Sequence, residues 1–69
     1  MKKWSNELTE LSEEYLYYSG IVVKSPDLDF GVLDIDYDKN IYTISVFGSG
    51  KKITFKSINE IINSGWVVD

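Results

Sequence analysis

The stretch VLDIDYDKNIYTISVF, residues 32–47, decides the fold. Leu33, Ile35 and Tyr37 alternate with Asp34, Asp36 and Asp38; past Lys39-Asn40, Tyr42, Ile44 and Val46 alternate with Thr43 and Ser45. A period of two marks strands with one apolar and one wet face. A two-residue turn at Lys39-Asn40 pairs Tyr37 with Tyr42, Ile35 with Ile44 and Leu33 with Val46, so that both apolar sets share a side. A slip of one residue would turn that side outward.

The same period extends in both directions. Strands are expected at Ile21–Lys24, Val32–Asp38, Ile41–Phe47, Lys52–Lys56 and Trp66–Val68. The GSGK turn sets Val46 against Ile53 and Ile44 against Phe55. Between the fourth and fifth strands, Ser57-Ile58-Asn59-Glu60 has the spacing of a capping box and Gly65 terminates a short helical turn. Ahead of the strands, Trp4, Leu8, Leu11, Tyr15 and Tyr18 recur at spacings of 3 and 4, one face of an amphipathic helix from Ser5 to about Ser19. Ser5 is its N-cap and Gly20 its terminator. Tyr15, Tyr18, Tyr37, Tyr42, Phe47, Phe55 and Trp66 are expected to fill the core, leaving Trp4, Tyr17 and Phe30 exposed.

A five-stranded barrel with a helical turn before its last strand is how SH3-like barrels are built, Tudor and KOW modules included, and the chain resembles one. VVKSPDLDFGVLDID, residues 22–36, followed by YTISVFGSGKKITF, residues 42–55, resembles the Tudor-like module at the C-terminus of UvrD-type helicases. The likeness covers roughly residues 22–56, and its motifs are the Phe30-Gly31 and Gly50-Lys51 turns. Where that family has a second Gly shortly after Phe-Gly, Val32 and Leu33 stand here. The resemblance implies a non-catalytic docking module, in that family one associated with RNA polymerase. The expected fold is mainly β, α+β by strict count: one domain over residues 1–69, with a helix over 1–19 and a small SH3-like barrel over 20–69.

Composition removes most chemistry. The 69 residues hold no Cys and no His, so disulfides, thiolate metal sites and the commonest general base are absent. A core of this size supplies only ~3 to 5 kcal/mol without staples. No Arg is present, which removes the side chain best suited to bidentate reading of bases. Asp34, Asp36 and Asp38 match the first ligand positions of an EF-hand loop, but Lys39 stands where Gly is needed and Ser45 where the bidentate Glu belongs. The grouping left for a loosely held cation is Asp27, Asp29 and Asp34. Acids two apart on a strand lie ~6.5 to 7 Å from each other, but a solvated sheet face supplies no desolvated pocket to split their roles. GSGKK lacks the first Gly and the Ser or Thr of a phosphate-binding loop and precedes a strand rather than a helix.

Charge is what remains. The net charge is −4, distributed unevenly: three Lys against nine acids up to Asp38, then four Lys against two acids. The expected function is that of a non-catalytic protein-interaction module. Its acidic surface of Glu7, Glu10, Glu14, Asp27, Asp29, Asp34 and Asp36 would dock on a basic face of a larger partner, with Trp4, Tyr17 and Phe30 as aromatic contacts. By analogy the reading extends to an inhibitor that imitates nucleic acid, of the anti-restriction or anti-CRISPR type carried by phage. The alternative is a nucleic-acid-binding barrel using Lys39, Lys51, Lys52 and Lys56 beside Phe47 or Tyr42. Neither cofactor nor metal is expected. The opening residues lack the apolar core of a signal peptide and no run is long enough to span a bilayer, so a cytoplasmic protein without membrane contact is expected. The pattern leaves a final strand or sheet edge open to a second copy.

Overall fold

The computed structural model describes residues 4–69. The expected start of the domain at Met1, and the charges of Lys2 and Lys3, lie outside the described residues. Five antiparallel strands form one sheet: β1 (Ile21–Lys24), β2 (Phe30–Asp36), β3 (Ile41–Val46), β4 (Lys52–Phe55) and β5 (Val67–Val68). A helix α1 (Asn6–Tyr15) precedes them, and a short helix α2 (Ile58–Asn63) sits between β4 and β5. The strand order is β4-β3-β2-β1-β5, so β1 and β5 pair and the two edge strands are β4 and β5. The architecture is the mainly β, α+β arrangement that the sequence pattern leads one to expect.

Registers differ from expectation by two residues. Leu33 stands opposite Ile44 and Ile35 opposite Tyr42, and across the next ladder Tyr42 faces Phe55 and Ile44 faces Ile53. The cause is turn chemistry. The Asp36 Oδ1 accepts from the N–H groups of Asp38 (3.2 Å) and Lys39 (3.3 Å), and Asn40 takes a left-handed φ of 55°. The turn therefore takes four residues, Tyr37–Asn40, rather than two. Because the side-chain period is two, this slip keeps Leu33, Ile35, Tyr42 and Ile44 on the inward side, while Tyr37 passes into the turn.

The core is aliphatic rather than aromatic. Leu16, Val23, Leu33, Ile44, Ile61 and Val67 are fully buried, joined by Phe55 and Trp66. Tyr15, Tyr18, Tyr37 and Phe47 are exposed, contrary to expectation, and Tyr42 is half-buried. Tyr37, now in a turn, uses its hydroxyl instead: it donates to the Tyr17 carbonyl (2.7 Å) and accepts from the Ser19 N–H (3.2 Å). Ser19 Oγ in turn accepts from the Ile35 N–H. This clasp draws residues 17–19 onto the sheet and ends α1 four residues before the expected stop. Gly31 is buried at a close crossing, where a Cβ would come within 2.7 Å of the Ser45 carbonyl oxygen.

The face that α1 buries is also rotated from the predicted stripe. Leu8, Ser12 and Leu16 turn inward, while Leu11 and Tyr15 are half-exposed on the flank. Ser12 is drawn in by need: its Oγ donates to the Leu8 carbonyl and accepts from the Val68 N–H, both at 2.9 Å. The helix thereby covers the outer edge of β5, which answers the open-edge expectation for that strand. Both helices are capped as the sequence predicts at their N-termini, Ser5 accepting from Leu8 N–H and Ser57 from Glu60 N–H. The Glu60 carboxylate reaches Lys56 N–H rather than the cap residue itself. At the end of α2, the N–H of Gly65 binds the Ile62 carbonyl and that of Trp66 the Ile61 carbonyl, a Schellman closure that aims Trp66 into the core.

Candidate protein-docking groove

The β1–β2 turn positions the groove. Pro26 presets the turn, and Ser25 closes it three ways: its carbonyl accepts from Leu28 N–H, its N–H donates to the Asp29 carbonyl, and its Oγ accepts from Asp29 N–H. Such a turn needs a left-handed residue at its third loop position, and Leu28 occupies it with φ 67°. Leucine there is strained, and its side chain gains no burial in return, being 69% exposed. The turn locks against the end of α2, where a Cβ on Gly65 would meet Pro26 Cγ at 2.8 Å.

Between this turn, the start of α1, the end of α2 and strand β4 lies a groove of about 860 Å³. Its apolar lining comes from Ile53, Ile62, Trp66, Val67, Pro26 and Trp4. Asp27 and Asp29 line it, together with Asn6, Thr9, Asn63 and Ser64, and among the described residues no lysine does. The Trp4 indole N–H donates to the Gly65 carbonyl at 2.7 Å, tying the helix start to the far wall. Lys24 Nζ sits 5.2 Å from the centre of the Trp4 ring and 3.7 Å from the Asp69 carboxylate. Trp4 is therefore half-buried and part of the wall rather than the free aromatic expected. Ser25 Oγ serves the turn and Ser64 Oγ donates to the Ile61 carbonyl, so both serine hydroxyls at the groove are engaged in local structure.

The expected acidic surface divides into three. Asp27 and Asp29 meet at the groove. Glu7, Glu10 and Glu14, spaced 3 and 4 apart, share the solvent side of α1, whose flank of Asn6 and Thr9 lines the same groove. Asp34 stands on the outer face of β2 opposite Thr43, itself opposite Thr54; Asp36 lies opposite Ile41 and serves the turn. Among the described residues no three of Asp, Glu, His or Cys converge to hold a metal, so the Asp27, Asp29 and Asp34 grouping does not form.

Of the remaining candidates, Tyr17 is exposed and lines a second groove of about 540 Å³ with Glu13, Tyr42 and Lys56. Lys39 lies in the β2–β3 turn and Lys51 and Lys52 follow the β3–β4 turn. Phe30 and Phe47 both point away from the core. Leu28 and the groove were not anticipated from sequence. A signal for Leu28 was present: Ser-Pro-Asp is a turn opening after which Gly is the ordinary residue, and here Leu follows.

Fold and groove together define a small domain of one five-stranded sheet and two helices, with a groove lined by two carboxylates and by apolar side chains. Comparison with family models, curated proteins and solved structures found no match to this chain. Among the described residues, no helix is long and apolar enough to cross a membrane.

Proposed function

We propose that this protein is a non-catalytic interaction module whose groove receives a basic segment of a larger protein partner. The observation that carries the reading is that Asp27 and Asp29 line the groove together with Ile53, Ile62 and Trp66, and that among the described residues no cation does. A Lys or Arg side chain suits such a site, its aliphatic stem lying along the apolar lining and its charged head meeting the carboxylates. Leu28 at the tip of the same turn adds an exposed apolar contact kept at a backbone cost. The glutamates of α1 extend the negative field and favour encounter with a basic surface. Basic surfaces of that kind are most developed on proteins that handle nucleic acid, so a nucleic-acid-processing protein, bound as an adaptor or inhibitor, is the partner class that fits best. The resemblance to the Tudor-like module of UvrD-type helicases implies the same kind of role.

The test is fluorescence anisotropy with a labelled Lys/Arg-rich peptide and its Glu-substituted counterpart. The basic peptide alone binds, binding weakens as salt rises, and Asp27→Asn with Asp29→Asn abolishes it while the fold is retained. Equal binding of both peptides, or no effect of the double substitution, refutes the reading.

A further inference from the structure

The outer face of the sheet carries a second feature, independent of the groove. Phe47 N–H donates to the Phe30 carbonyl at 2.8 Å, continuing the β2–β3 ladder one step beyond Gly31 opposite Val46. Strand alternation then puts both rings on the outer face, since their neighbours Gly31 and Leu33 on β2 and Ile44 on β3 point inward. The two residues are 40% and 56% exposed, and opposed residues of a ladder hold their Cβ atoms about 5 Å apart. The adjoining row runs Val22, Val32, Ser45, Lys52 across four strands, which sets Lys52 beside the Phe47 position, with Lys51 next to it in sequence. The one ion pair among the described residues is Lys24–Asp69, so Lys51, Lys52 and Lys56 hold no carboxylate there.

We infer that this face binds single-stranded nucleic acid, two bases stacking on Phe30 and Phe47 while the backbone follows Lys51, Lys52 and the β4 edge. Two open rings at ladder spacing beside uncommitted cations are what sequence-tolerant single-strand binding requires. A duplex offers no base faces to such rings. Asp29 precedes Phe30 and Asp34 lies two positions beyond Val32, so specific contacts compete with a negative background and the affinity is modest and strongly salt-dependent. The lysines and Phe47 belong to the alternative set expected from sequence; Phe30 is added by the register.

The experiment is an anisotropy titration of labelled oligothymidylate, and of a duplex of equal length, into the full chain at low salt. The single strand binds in preference to the duplex. Phe30→Ala with Phe47→Ala weakens binding about tenfold or more. The log–log salt slope is about −1.4 if two phosphates are neutralised, and Lys51→Ala with Lys52→Ala flattens it. If circular dichroism shows the double ring variant misfolded, Phe47→Leu keeps the apolar bulk without the stacking face and must show the loss alone. No binding at low salt, equal affinity for the duplex, or binding that survives loss of both rings overturns the inference. So does ring-dependent dimerisation without nucleic acid, which would give this face to a second copy. None of these outcomes bears on the groove, which the peptide titration tests separately.

Discussion

Leu28 is the residue that stability alone does not explain. An L residue in the left-handed region costs roughly 1–2 kcal/mol, and this one buries little in exchange. Replacing it with Gly relieves the strain but gives up some restriction of the unfolded chain, so Leu28→Gly is expected to raise stability by about 1 kcal/mol. A urea melt would show a higher midpoint at an unchanged slope. The same substitution is expected to weaken binding of the basic partner, because the tip loses its apolar contact. An unchanged or lowered midpoint would mean that Leu28 packs in a way its exposure denies. Asp36 illustrates the opposite case: read from sequence as part of a docking surface, it proves to be the residue that closes the β2–β3 turn.

Among the elements, α1 does more than supply a buried stripe. Ser12 turns inward to receive the Val68 N–H, so one hydroxyl couples the first element to the last and covers the β5 edge. Ser12→Ala leaves that N–H without its partner in a part-buried setting and is expected to cost about 1–3 kcal/mol, slightly offset by the better helix propensity of Ala. Amide hydrogen exchange at Val68 should accelerate in step; unchanged exchange would show that another group caps the edge. This contact also shows the limit of reading from pattern. Strand existence, both N-caps and the inward parity of Leu33, Ile35, Ile44 and Phe55 are legible because each follows from local period or local chemistry. Turn length, and with it the register, was not, because it rests on Asp36 folding back on its own turn. Nor was the helix face, because a serine was chosen over a tyrosine for a hydrogen bond 56 positions away. The groove lay beyond pattern altogether, since its walls come from four separate segments.

For the whole molecule, the uneven charge of the chain becomes an arrangement in space. Acids from the first half gather on α1, at the groove and along β2 and its following turn, while Lys51, Lys52 and Lys56 lie along β4 and its ends, their ammonium groups paired with no carboxylate among the described residues. Taken together, the proposed roles of the groove and of the outer sheet face suit a domain that sits where a basic protein holds its nucleic acid. Of the two surfaces the groove is primary. The most direct measurement is a nitrogen-15 NMR titration of the full chain with a Lys/Arg-rich peptide. The account predicts that shifts converge on the indole N–H signals of Trp4 and Trp66 and on the amides of Asp27, Leu28 and Asp29, leaving Phe30 and Phe47 unmoved. Shifts spread evenly over the acids of α1 and β2, or confined to the outer sheet face, would contradict it.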